Sequence, residues 1–199
     1  MQTAAADIPV LVLAAGASQR LGRPKQQVVF NGSALLVNTV AQARQSGRRV
    51  YVALGSNAAQ HQPLLPPEMA EVWVNPGWQL GMGHTLKFGL AALLRAHPVL
   101  DAVIVSVCDQ PYLTAAVFQQ LANAYHPARR PLVACRYAVG EGVPALFGRA
   151  YFDELLALPD DAGAKKILQR HAGRAGWVSF PQGHIDIDTP DDLAALIKS

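Results

Sequence analysis

Residues 10–26 read VLVLAAGASQRLGRPKQ. The apolar run 10–14 predicts a short strand buried on both faces, because it offers no polar side to solvent. The chain then breaks into Ala15, Gly16, Ala17 and Ser18, followed by two spaced cations, Arg20 and Lys25. Small side chains let backbone N–H groups approach an anion closely, and the two cations add full charge at the same point. A strand feeding such a turn predicts a polyphosphate site.

Spacing excludes two familiar phosphate loops. There is no G-x-x-x-x-G-K-[ST], and no G-x-G-x-x-G. The next predicted strand, residues 49–54, runs into Gly55-Ser56-Asn57, where a dinucleotide site needs an acid for the ribose. A dehydrogenase is therefore not expected.

The chain has 199 residues, 51% hydrophobic and 16% charged, which suits one folded domain over 1–199 with a substantial core. Its 17 Lys and Arg against 14 Asp and Glu leave a net charge of only +3, and the cations are dispersed. Such a balance suits a small anionic substrate and gives no support to a nucleic-acid partner. The start MQTAAADIPV lacks a basic segment followed by a long apolar run, and no apolar stretch approaches a membrane span. A cytoplasmic protein with no membrane partner is expected. Cys108 and Cys135 lack the paired spacing of a zinc or redox site and read as buried, reduced thiols.

Along the chain, Asn31-Gly32 predicts a turn, with Ser33 capping a helix to Gln45 that Gly47 stops. Strands are predicted at 49–54, 71–74, 102–108, 132–139, 177–180 and 185–187. Helices are predicted from His84 to Pro98, after a Thr114 cap, at 151–158, at 164–171 with Asp160 and Asp161 as candidate caps, and after Thr189-Pro190. Strands alternating with helices over the first two-thirds predict a mainly parallel sheet, with later residues adding an antiparallel part. In an open sheet of this kind ligands sit at the carboxyl ends of the strands, where the loops after Ala14, Val74 and Cys108 would converge.

Asp109 follows the most strand-like run, residues 102–108, and from that edge an acid reaches the crevice. The competing role is a cap for the helix beyond Pro111. Asp186 and Asp188 share one face if 185–187 is a strand, and Asp188 has a competing role at the N-terminus of the last helix. Magnesium takes one or two protein carboxylates together with phosphate oxygens and water, so Asp109 and Asp188 would serve if the fold unites them. His84 is the one histidine placed beside a glycine-rich turn; Trp73, Trp78 and Trp177 read as packing residues.

The opening stretch resembles the signature A-A-G-x-S-x-R-x-G-x-x-K of nucleotidyltransferases with a glycosyltransferase-A-like fold, its positions filled by Ala14, Ala15, Gly16, Ser18, Arg20, Gly22 and Lys25. Four further motifs stand in the same order as in molybdenum cofactor cytidylyltransferases. They are Gly81-Met82-Gly83-His84-Thr85-Leu86, Asp109-Gln110-Pro111, Gly142-Val143-Pro144-Ala145-Leu146-Phe147 and Asp186-Ile187-Asp188-Thr189-Pro190.

The resemblance implies an α/β, three-layer Rossmann-like fold with a mainly parallel sheet flanked by helices. It also implies transfer of CMP from CTP to the terminal phosphate of molybdopterin, with release of pyrophosphate. Leu13, Ala14, Ala15, Gly16, Ser18, Arg20, Lys25, Gly81, Gly83 and Thr85 would bind the nucleotide; Lys25, Arg20 and Asp109 would be catalytic; Asp109 and Asp188 would carry Mg²⁺. Handover of the product to a molybdoenzyme or its chaperone is a further implication. Ala14-Ala15-Gly16 resembles the cytidine-using branch, since guanylyl-transferring relatives tend to have Ala-Gly-Gly there. Val143 stands where many of these enzymes have histidine, and this bears on the acceptor. GTP as donor, a sugar phosphate or methylerythritol phosphate as acceptor, and a non-catalytic nucleotide or molybdopterin binder remain the alternatives.

Overall fold

The computed structural model describes residues 7–198. In chain order its strands are β1 (Val10–Ala14), β2 (Val29–Phe30), β3 (Ser33–Ala34), β4 (Val50–Leu54), β5 (Glu71–Val74), β6 (Ala102–Val107), β7 (Leu132–Arg136), β8 (Glu141–Gly148) and β9 (Gly176–Ser179). The α-helices are α1 (Leu35–Gln45), α2 (Ala58–His61), α3 (Met82–Ala96), α4 (Ala115–Ala124), α5 (Phe152–Leu156), α6 (Lys165–Arg170) and α7 (Pro190–Lys198).

Among the described residues the main sheet has seven strands in the order β5-β4-β1-β6-β8-β7-β9. β1 is parallel to both β4 and β6, and β4 to β5. β8 runs antiparallel to β6 and β7, while β9 is parallel to β7. The mainly parallel α/β sheet expected from the sequence is present, with β8 as its reversed strand.

The apolar run of β1 follows from two-sided burial. Val10, Val12 and Ala14 join a core with Val40 of α1 and Phe118 of α4. Leu11 and Leu13, pointing the other way by the two-residue period, join a core with Leu86 and Leu90 of α3 and Ile167 of α6. These clusters on opposite faces of the sheet make the three layers. A third, smaller cluster of Leu21, Val28, Leu35, Ile187 and Leu196 lies under the opening loop and α7.

Several boundaries differ from expectation. Asn31 (φ 51°) and Gly32 (φ 80°) form a tight hairpin turn that puts Ser33 opposite Phe30 in β3, so Ser33 is a ladder residue and α1 begins at Leu35. α3 begins at Met82, before His84. α6 begins at Lys165 behind Ala164; Asp160 instead pairs with Lys87 at 2.7 Å. Residues 185–187 are not a strand: the Ile187 N–H donates to the Asp109 carbonyl at 3.1 Å, and the Ile187 side chain is buried in the third cluster. The expected Thr189 cap is present, with its hydroxyl accepting the Asp192 N–H at 3.2 Å while the Asp192 carboxylate accepts the N–H groups of Asp188 and Thr189. No helix among the described residues is long and apolar enough to cross a membrane.

Phe118 is fully buried between the sheet and α4. Phe118→Ala is expected to destabilise the fold by about 3–5 kcal/mol, read by urea titration; a loss below about 1 kcal/mol would remove this account of the core.

Candidate active site

The carboxyl ends of the parallel strands β1, β4, β5 and β6 open on one side of the molecule. Two adjoining cavities lie there, of about 550 Å³ and 380 Å³, sharing Leu13 and Met82 in their walls. The larger is lined by the loop after β1, including Ala15, Gly16, Ser18, Arg20 and Lys25, and by Trp78, Gly81, Thr85 and Asp188. The smaller is lined by Asp109, Gln110, Tyr137, Val143, Lys165 and Asp186, among others.

The loop after β1 is held in shape by its own residues. Gln26 is buried, and its side-chain amide donates to the carbonyls of Ala14 and Gly16, both at 2.9 Å. Ser18 adopts φ 54° and its hydroxyl accepts the Lys25 N–H at 3.0 Å, which folds the loop back on itself. A Cβ on Gly16 would have nothing within 4 Å, so the backbone there faces open space. Pro24-Lys25-Gln26 thus has two tasks: Gln26 fixes the turn and Lys25 projects from it.

Lys25 Nζ lies 2.7 Å from Asp109 Oδ2 and 2.6 Å from Asp188 Oδ1, and Arg20 is 2.6 Å from Asp188 Oδ2. Burial disfavours the Lys25 charge, but the neighbouring Asp109 and its hydrogen bonds to both acids outweigh that and hold its pKa above the ordinary lysine range. Burial likewise pushes Asp188 up, and the Lys25 hydrogen bond and charge, with Arg20, overcome it to hold the carboxyl below its usual range. Asp186 departs in the other direction: burial and the nearby Asp109 and Asp188 charges raise it. It lines the smaller cavity, on the other side of the anchored Ile187 from Asp188.

The structure brings Lys25, Arg20, Asp109 and Asp188 together, and places Leu13, Ala15, Gly16, Ser18, Gly81 and Thr85 on the larger cavity wall. Two nominated residues lie off that wall. Ala14 is buried and offers its carbonyl to Gln26. Gly83 is buried against the 159–162 loop, where a Cβ would fall 2.1 Å from the Pro159 carbonyl; its small size serves packing. Asn75 escaped sequence reasoning. It is completely buried just after β5 and bonds Thr85, His84 and Gly77, yet an isolated Asn before Pro76 reads as a turn residue. Cys108 and Cys135 are free, buried thiols whose pKa values burial pushes up to about 12, as expected of inert cysteines.

The donor set suits a hard divalent cation. Asp109 and Asp188 offer carboxylate oxygens at the junction of the cavities, and an ammonium already bridges them. Two acids leave most of a Mg²⁺ or Mn²⁺ coordination shell for phosphate oxygens and water.

At the carboxyl edge of this sheet a small-residue cationic loop meets two acids directly, an arrangement suited to a nucleotidyltransferase. Residues 10–175 match the model of the MobA-like NTP transferase domain, and the chain belongs to that family. The chain is similar to Rv0371c from Mycobacterium tuberculosis, at 31% identity and TM-score 0.82, covering 99% of this chain and 100% of that one. The same protein solved in complex with manganese aligns at 29% identity and TM-score 0.77, covering 97% and 99%. The fold is also that of the molybdopterin-guanine dinucleotide biosynthesis protein A from Archaeoglobus fulgidus, at 20% identity and TM-score 0.67, covering 96% and 97%. No curated protein gives a significant match.

Two expectations follow. Because the folded-state pKa of Asp188 is depressed, its contribution to stability is present at neutral pH and is lost as pH falls through the acid range below about 4. Asp188→Asn should therefore lose less stability than the parent between pH 7 and pH 3 in thermal melts; parallel losses would contradict the depressed pKa. Gly83→Ala should destabilise by about 1–3 kcal/mol through overpacking against the Pro159 carbonyl, and an unchanged melting temperature would contradict that contact.

Proposed function

We propose that this nucleotidyltransferase moves CMP from CTP to the terminal phosphate of molybdopterin, releasing pyrophosphate, with Mg²⁺ or Mn²⁺ held by Asp109 and Asp188. The observation that carries the reading is Lys25, clamped between those two acids where the cavities meet. A triphosphate in the larger cavity and an acceptor in the smaller would meet at that junction. The molybdopterin assignment is supported by the family and by the ordered motifs of the chain. The divalent metal is supported by the carboxylate donors and by the manganese complex of Rv0371c.

In this mechanism an acceptor phosphate oxygen attacks the α-phosphorus in line, forming a new P–O bond as the bond to the β-phosphate bridging oxygen breaks. The electron pair leaves on pyrophosphate. The attacking oxygen is already anionic, so no strong general base is required. Arg20, Lys25 and the loop N–H groups near Gly16 bind and orient the triphosphate, and Lys25 neutralises charge at the reacting phosphate. The bound metal would supply Lewis-acid stabilisation of phosphoryl oxygens. Lys165, in the wall of the smaller cavity, offers a cation to the acceptor.

The test is pyrophosphate release with Mg²⁺ or Mn²⁺ and each nucleoside triphosphate, offered molybdenum cofactor, methylerythritol phosphate or a hexose 1-phosphate. Turnover is expected with CTP and molybdenum cofactor. Lys25→Ala and Asp109→Asn should each lower it by about a hundredfold or more. Near-normal rates in both folded variants would remove the mechanism, and turnover with another acceptor alone would replace the molybdopterin assignment.

A further inference from the structure

Where the two cavities meet, Asp109 and Asp188 are already neutralised from within. Lys25 Nζ bonds one oxygen of each acid, Asp109 Oδ2 at 2.7 Å and Asp188 Oδ1 at 2.6 Å, while Arg20 takes Asp188 Oδ2 at 2.6 Å. The ammonium therefore lies between the acids, in the space that a divalent ion shared by both would need. The Lys25 side chain is 16% exposed against 72% for Arg20, so solvent and salt screen the guanidinium far more than the ammonium.

A pair of acids so neutralised is a poor ligand for a free dication. To bind both, the ion must displace the ammonium or lie against it, and like charges at such separations repel. The build of Lys25 permits displacement. Its backbone is tied down, with the N–H on Ser18 Oγ at 3.0 Å and the neighbouring Gln26 buried, but the side chain is a flexible four-carbon stem ending in a compact charge. Lys25 also lines the larger cavity, whereas Asp109 lines the smaller. From one anchored Cα the ammonium can serve the acids or turn to an anion in the larger cavity.

We propose that Lys25 is an exchangeable counter-ion. Without nucleotide it neutralises Asp109 and Asp188 and competes with a divalent cation for them; a triphosphate in the larger cavity draws the ammonium away and frees both acids for the metal. The exchange makes and breaks no covalent bond. Charge sets the order of events. A dication alone would add its charge to a cluster in which two carboxylates already balance Lys25 and Arg20, whereas a dication with a triphosphate brings the anion that both side chains then face. Metal and nucleotide therefore reinforce each other's binding. The inference rests on the metal and triphosphate assignment above and extends it to how the site is filled.

The experiment is calorimetric titration of the full chain with Mn²⁺ alone at pH 7. Lys25→Met, which keeps the stem and removes the charge, should bind Mn²⁺ about tenfold or more tighter than the parent. Arg20→Gln, which removes the exposed cation from the same acid, should stay within about threefold of the parent. An unchanged affinity in folded Lys25→Met overturns the proposal, as does an equal gain in Arg20→Gln, which would mark a general charge effect. Failure of both parent and Lys25→Met to bind Mn²⁺ overturns it too. A crystal structure of the parent with Mn²⁺ and CTP, with no acceptor present, tests the exchange without a variant. Lys25 Nζ should then lie beyond about 3.5 Å from at least one of the two acids and against the triphosphate; Nζ still bonded to both acids with Mn²⁺ on them overturns the proposal. A parent that binds Mn²⁺ but releases no pyrophosphate with any acceptor loses the transfer reading alone, and the titrations still decide the exchange.

Discussion

The interaction on which the rest depends is one ammonium shared by two carboxylates. Asp109 and Asp188 are drawn to a common point by Lys25, at 2.7 Å and 2.6 Å, from positions far apart in the chain. Two acids so placed repel each other, and a cation between them relieves the repulsion. Electrostatics alone does not assemble the trio, because partly buried charges lose hydration when they pair. The assembly is held by apolar contacts beneath it: Leu21 and Val28 flank the cationic segment, and they pack with Ile187 between Asp186 and Asp188. A backbone hydrogen bond from Ile187 to the Asp109 carbonyl ties the two acidic segments side by side.

The same economy of parts shapes the cleft walls. Parallel strands deliver their carboxyl ends to one edge, and close backbone approach joins the loops that leave them. Gly55 leaves room for Trp78 and Ala15, with a Cβ there meeting Trp78 at 2.4 Å. Gly81 and Gly83 let the start of α3 press on the 159–162 loop, where the His84 N–H donates to the Asp160 carbonyl at 3.1 Å.

Beyond the parallel strands β5, β4, β1 and β6, the reversed strand β8 gives the cleft its second half. It is inserted between β6 and β7, and with Tyr137 and Gln110 it walls the smaller cavity. Gln110 binds the Val143 carbonyl at 3.0 Å and the Gly183 carbonyl at 2.7 Å, which sets the floor of that cavity beside Asp109. The two cavities share one charged boundary, formed by Lys25, Asp109 and Asp188.

Much of this was legible in one dimension. The apolar run of β1, the small residues after it, and Asp109 just beyond β6 declared a parallel sheet and a tight turn at its carboxyl edge, because two-sided burial and tight turns constrain which residues can occupy those positions. Family membership was legible in the ordered motifs. The hairpin that takes Ser33, the loop that replaces a strand at 185–187, the packing role of Gly83 and the buried hydrogen bonds of Asn75 were not. Each depends on which distant group lies within about 3 Å, and local propensity holds no record of that distance. Residue order alone declared the sheet, the turn and the charges; folding settled which charges meet and which polar groups the buried Asn75 bonds, since both depend on contacts between segments far apart in the chain.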